Sequence, residues 1–212
     1  LVSKGEDINA CEPHGFTPLF MASVDFDLFT NVINMNGIDI HKKFVRSPSD
    51  KVKKTAFHHF FEIVQEVNED DRNAVYKILN LLIKKGAMFT VESKGVKLLH
   101  QSVSDLCVPV LKSLMNRGED INSVTFDGEY TCVHILAKTD SDVAKPSAIL
   151  RYIGAKYNPN YNISDTRGNY AISDLVVADR ADDVDFLASN GARTDITVSN
   201  KRLPLVHLAE YK

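Results

Sequence analysis

Two short signals alternate along this chain, each in six copies, and their spacing limits what it can fold into. The first begins an apolar stripe: "TPLFMA" at 17, "TAFHHF" at 55, "KLLHQS" at 97, "TCVHIL" at 131, "YAISDL" at 170 and "LPLVHLA" at 203. In its fullest form a Thr hydroxyl caps a helix and Pro takes the first helical position, where no N–H partner is needed. The third residue of each copy is apolar: Leu19, Phe57, Leu99, Val133, Ile172 and Leu205. The starts lie 38, 42, 34, 39 and 33 residues apart. The second signal ends an apolar stripe on glycine, at Gly5, Gly37, Gly86, Gly118, Gly154 and Gly191. A glycine just past a helix end suits a left-handed cap, where a Cβ would clash.

Between a start and the next glycine there is room for two short helices. "DDRNAVYKILNLLIKK" shows the pattern best, with Val75, Ile78, Leu79 and Leu82 on one face and Asp70 or Asp71 as the expected N-cap. About a dozen polar residues separate each glycine from the next start, which suits a hairpin-like loop. A unit this small cannot bury its own apolar face, so the units must stack on one another.

On these residues the chain resembles the ankyrin-repeat family. The resemblance rests on T-P-L-x-x-A, on histidine in the fourth place at His58, His100 and His134, and on the G-[EA]-D-[IV]-N tail. It implies an all-α solenoid of stacked helix–loop–helix units with projecting finger loops. Residues 1–212 then form a single domain. It holds a partial repeat at 1–10, full repeats at about 11–42, 43–91, 92–123 and 124–159, a degenerate repeat at 160–196 and a partial repeat at 197–212. The Thr is lost at Lys97, Tyr170 and Leu203, and the His is replaced at Phe20, Ser173 and Val206. The second full repeat is oversized, with its extra length in "FEIVQEVNEDDRN", so longer helices or an added turn are expected there. Arrays this irregular are similar to those of host-directed effectors from intracellular bacteria.

The resemblance assigns His58, His100 and His134 to hydrogen bonds between neighbouring repeats. No Cys or His stands at ligand spacing from the His58–His59 pair, so no metal site is expected. Cys132 and His134 point in different directions on a helix, which argues against a nucleophile and its base. No phosphate loop, dinucleotide fingerprint or nucleophile elbow occurs. Neither catalysis nor a cofactor is therefore expected.

A net charge of −3 gives no electrostatic reason for nucleic-acid binding. No apolar run reaches the roughly 18–20 residues of a membrane span, and the N-terminus has no signal-peptide pattern. Cys11, Cys107 and Cys132 are odd in number and lack metal spacing, which fits reduced thiols in the cytoplasm or nucleus, or in a host cytoplasm for an effector. Without an initiator Met, and opening on what reads as a helix end, the chain is expected to be part of a longer, monomeric protein.

What is left to explain is a protein partner. From Lys42 to Lys54 the balance is +5: Lys42, Lys43, Arg46, Lys51, Lys53 and Lys54 against Asp50. Glu62, Glu66, Glu69, Asp70 and Asp71 follow with −5. Similarity to the family puts contact residues just before each Thr place, at Phe16, Lys54, Val96, Tyr130, Asn169 and Arg202. It puts others on the exposed first-helix turn, at Asp25, Glu62, Ser104 and Lys138. Lys42 and Lys43 from the basic loop and Tyr161 from the Tyr- and Asn-rich loop complete the set. Tyr157 is expected at the aliphatic place of its tail. The first reading is an interaction module that targets or scaffolds a longer protein. The alternative is a substrate-docking part of an enzyme whose catalytic domain lies outside these residues.

Overall fold

Thr17, Thr55 and Thr131 each stand immediately before a helix with extended backbone, and each hydroxyl accepts the N–H three residues on, from Phe20, His58 and His134. The structure, a computed structural model, describes residues 7–12, 15–43, 55–64, 66–87, 97–139, 144–198 and 203–204. The chain forms two compact units, Leu1–Ser93 and Lys94–Lys212.

In the first unit, α1 (Pro18–Met21) runs into a short 3-10 turn at Ala22–Val24, followed by α2 (Phe26–Ile33), α3 (Ala56–Ile63) and α4 (Glu69–Lys84). α4 packs on α2 and on α3. Leu19, Phe29, Ile33, Phe57, Phe61, Leu79 and Leu82 are buried between them. Among the described residues of the oversized repeat, α4 is extended, with 16 residues against 8 in α2. Its N-cap is Asn68, not Asp70 or Asp71: the Asn68 side chain accepts from the Asp71 N–H at 2.9 Å. Amide and carboxylate cap equally well, so the sequence does not choose between them.

The second unit contains α5 (Leu98–Ser104), α6 (Val108–Asn116), α7 (Cys132–Lys138), α8 (Ala144–Tyr157), α9 (Ala171–Val177) and α10 (Ala181–Ser189). α7 packs between α5 and α9, and each of these three packs on the helix that follows it. Leu99, Val133 and Ile172, the third residues of their start signals, are all buried there. Leu205 lies outside the described residues. Besides the helices, Thr197–Val198 (β1) pairs antiparallel with Leu203–Pro204 (β2), Val198 opposite Leu203. This repeats the bridge of Ser164 with Tyr170 one repeat earlier. Leu203 and Tyr170 both hold the Thr place, so the sixth start signal closes a finger as the fifth does.

Helix ends follow one pattern. At Gly86, Gly118 and Gly191 φ is positive, and the next N–H reaches back to the carbonyl of Leu82, Leu114 or Leu187. This is the glycine-capped turn that left-handed backbone permits. Gly154 departs from it. α8 runs through Gly154 to Tyr157, and the left-handed residue is Asn158, with φ 46°. "NPNYN" therefore holds the place of the G-x-D-x-N tail, and the helix is longer by a turn than the glycine signal implies. Gly154 is small for another reason: a Cβ there would lie 2.5 Å from the Tyr161 hydroxyl and 2.7 Å from the Phe186 ring.

Candidate functional site

The polar residues that recur along the chain divide into those that join repeats and those displayed at the surface. Asn9, Asn122 and Asn162 end three copies of the tail, and each is held by an Asx-turn to Asp7, Asp120 or Asn160. Each carboxamide then reaches the following repeat. Asn9 accepts from the Asp39 N–H and donates to the Gly37 carbonyl, and Asn162 does the same with Arg193 and Gly191. Asn122 accepts from the Asn160 N–H at 2.7 Å. These contacts confirm the shifted register at Asn158.

The histidines are joined in a similar way. His100 Nε2 donates to the Ser123 carbonyl at 2.9 Å, and His134 Nε2 to the Asn169 carbonyl at 3.3 Å. His134 Nδ1 faces Thr131, 3.3 Å from its N–H and 2.9 Å from its hydroxyl. A nitrogen that accepts the Thr131 N–H carries no proton, so this ring is neutral. Burial pushes both imidazoles below the ordinary histidine value. His58 Nδ1 meets the Thr55 hydroxyl at 2.5 Å. Cys132 is buried and its thiol is pushed up to about 12 by burial, which leaves no nucleophile there. Among the described residues no group of His, Cys, Asp or Glu is placed to hold a metal ion, and no helix is long and apolar enough to cross a membrane.

Phe16, Tyr130 and Asn169 come to one structural place. Each carbonyl closes a finger turn by accepting the N–H of Glu12, Thr125 or Asp165. Their side chains fare differently. The Phe16 ring stacks on Phe20 at 5.3 Å and is half-buried. Asn169 is half-buried, its N–H and carboxamide both donating to Asp165. Tyr130 is half-buried, with the Lys138 ammonium 3.8 Å from its ring centre.

Lys138 also reaches Asp165 at 3.4 Å and Asp174 at 3.5 Å, its side chain 36% exposed. The two carboxyls behave in opposite ways. Burial disfavours the Asp165 anion, but the N–H groups of Asn169 and Arg167 outweigh it and hold the group below the ordinary carboxylate value. Burial pushes Asp174 up to about 6 against the pull of Lys138. Tyr130, Lys138, Asp165 and Asp174 thus form one aromatic and charged cluster built from two successive finger turns, α7 and α9.

The remaining candidates are dispersed. Asp25 caps α2, its carboxylate accepting the Leu28 N–H at 2.7 Å. Glu62 is half-buried on α3, Ser104 is exposed at the end of α5, and Lys42 and Lys43 are exposed. Lys54, Val96 and Arg202 lie outside the described residues, as does the basic run between Lys43 and Thr55. Tyr161 is no surface contact: it is 4% exposed, because the longer α8 moves it into the aliphatic place of the tail, against Gly154 and Phe186. Tyr157 ends α8 instead, its hydroxyl 3.1 Å from that of Tyr152.

Two features escaped the sequence. Phe126, 84% exposed, sits in the finger turn closed by Thr125 and Tyr130. In the second, Arg180 is buried at the α9–α10 turn, pairs with Asp183 at 2.7 Å and donates to the Leu136 carbonyl of α7 at 2.6 Å. Asp183 also takes Ser147 and Arg151 of α8. A cleft of about 510 Å³ opens beside this cluster, between the starts of α8 and α10.

Among solved structures the chain is similar to the ankyrin repeat domain of Bcl-3, described as a unique member of the IkappaB protein family. The identity is 17% and the TM-score 0.61, over 98% of this chain and 84% of that one. It is also similar to an ankyrin repeat domain (ABAYE2397) from Acinetobacter baumannii AYE, with 18% identity and a TM-score of 0.64 over 91% of this chain and 90% of that one. No protein-family model and no curated protein matches the chain. At these identities the likeness is one of fold, and the fold is that of ankyrin-repeat domains.

Proposed function

We propose that this ankyrin-repeat chain is a protein-interaction module with no chemistry of its own, taking a protein partner on its finger turns and first helices. The observation that carries the reading is the division of polar groups in the second unit. His100, His134, Asn122 and Asn162 are committed to bonds along the array, whereas Tyr130, Lys138 and Asp174 form a partly exposed aromatic and charged cluster beside them. Aromatic anchors such as Tyr dominate interface energies. Residues 1–212 acting as one monomeric repeat domain, and that domain serving as the targeting or scaffolding part of a longer protein, belong to the same proposal.

The test is capture from a eukaryotic lysate on the immobilised chain, read by mass spectrometry. A specific protein retained by the wild type and lost with Tyr130→Ala is the expected result. Equal retention by both would remove this face from the reading, and turnover of a captured molecule by the chain itself would overturn the non-catalytic part.

A further inference from the structure

Among the described residues, exposed large apolar side chains are concentrated at the turn between α1 and α2. Met21 is 51% exposed, Val24 90%, Phe26 39% and Leu28 48%. All four lie within eight residues, on the last turn of α1, the 3-10 segment and the first turn of α2. Displaying that much aliphatic surface to water is unfavourable, and a cluster of it marks a contact rather than the scattered exposure that any surface shows. Met21 contributes an unbranched thioether, which adapts to irregular partners.

The turn itself carries only acidic charge, at Asp25 and Asp27. From Asp7 to His41 there are five carboxylates, Asp7, Glu12, Asp25, Asp27 and Asp39, and no Lys or Arg. Asp25 and Asp27 stand between the exposed apolar residues, and both are exposed themselves. A cation already lies beside this surface: Lys77 of α4 is 5.9 Å from the Phe26 ring centre. Exposed apolar residues interleaved with carboxylates disfavour acidic partners by repulsion and speed the approach of basic ones.

We propose that the α1–α2 turn is a docking site for a basic, apolar segment of a partner protein, one in which Lys or Arg side chains flank aliphatic or aromatic ones. The apolar residues of the segment cover Met21, Val24 and Leu28, and its cations meet Asp25 and Asp27. This deepens the interaction-module reading and rests on it.

The test is selection from a displayed random-peptide library against the wild-type chain. Binding of the selected peptides is then measured to Val24→Asp, Asp27→Lys, Val24→Ser and Tyr130→Ala. Val24 and Asp27 are exposed and no described group depends on their side chains, so each variant should melt as the wild type does. Enriched peptides should pair apolar residues with Lys or Arg. Their affinity should fall about tenfold or more in Val24→Asp and Asp27→Lys, less in Val24→Ser, and not at all in Tyr130→Ala. Enrichment of acidic or uncharged peptides, no enrichment, or unchanged binding to Val24→Asp overturns the proposal. So does sedimentation showing that the wild type dimerises and Val24→Asp does not, since the surface then belongs to a second copy. Peptides that bind through Tyr130 alone would remove this site and leave the interaction-module reading standing.

Discussion

His100 Nδ1 is buried without a hydrogen-bond partner, three residues after Lys97, at the place where Thr131 meets His134 one repeat later. The lost threonine therefore removes two things: the side-chain cap of α5 and the group that would satisfy the imidazole. Lys97→Thr should restore both, and we expect a gain of about 1–2 kcal/mol in urea unfolding. No gain, or a loss, would mean that the Lys97 side chain stabilises α5 in a way that its backbone geometry does not reveal.

Gly154 and Tyr161 give an opposite pair of expectations. Gly154→Ala puts a methyl against the Tyr161 hydroxyl and the Phe186 ring, so it should destabilise by about 1–3 kcal/mol, although Ala favours helix. Tyr161→Phe removes a buried hydroxyl that has no partner, and should be neutral or slightly stabilising. A stabilised Gly154→Ala protein would show that the glycine is present for backbone reasons after all.

These pairs mark what the sequence could and could not convey. Local signals were legible: Thr17, Thr55 and Thr131 cap because the bond they make closes within three residues. Gly86, Gly118 and Gly191 turn because only glycine enters left-handed backbone without strain. Gly154 misled because a helical glycine can answer to packing as well as to backbone, and Asn158 performed the turn instead. One such shift carried Tyr161 from a supposed contact into the core. Arg180 was illegible for a different reason: its partner at Leu136 is 44 residues away, and only the stack brings them together. The surface cluster was half legible. Tyr130 and Lys138 share it, but the Asp174 that joins them belongs to the next repeat.

The buried Arg180–Asp183 pair should be costly to break and cheap to replace. Arg180→Ala leaves the Asp183 carboxylate with fewer donors and two α7 carbonyls without theirs, and we expect a loss of about 3–5 kcal/mol. Arg180→Met combined with Asp183→Leu removes both charges and should recover much of that loss. If the double variant is no better than Arg180→Ala, the hydrogen bonds to α7 and α8 matter more than charge burial.

Acid should act on this fold through groups of opposite sign. His100 and His134 have depressed values, so below about pH 6.5 the unfolded chain binds protons that the folded chain refuses. Their contribution is complete above that pH and lost as pH falls through the folded values. Asp174 is raised to about 6, so its contribution is complete at low pH and lost as pH rises through that value. Asp174→Asn should therefore stabilise by about 1 kcal/mol near pH 8, discounted for its partial exposure, and by little near pH 4. Thermal melts at the two pH values decide it; an equal gain at both would assign the effect to packing.

Tyr130 offers the most direct separation of scaffold from surface. Its backbone closes the finger: the carbonyl accepts the Thr125 N–H at 3.0 Å, and its own N–H donates to the Thr125 hydroxyl at 3.1 Å. Neither bond involves the side chain, so Tyr130→Ala keeps the turn. The ring loses its packing on Gly128 and His134 and the Lys138 ammonium above it. A cation over a partly exposed ring contributes about 0.5–1 kcal/mol, and stability should fall by about 1 kcal/mol. Lys138 keeps Asp165 and Asp174 as partners, so the charge of the face is unchanged. Affinity for a captured partner should fall by about tenfold or more, the cost of truncating an aromatic anchor. Phe126→Ala should have a smaller effect on stability, because that ring is 84% exposed. A large fall in melting temperature with unchanged binding would make Tyr130 a strut of its finger and move the contact face elsewhere.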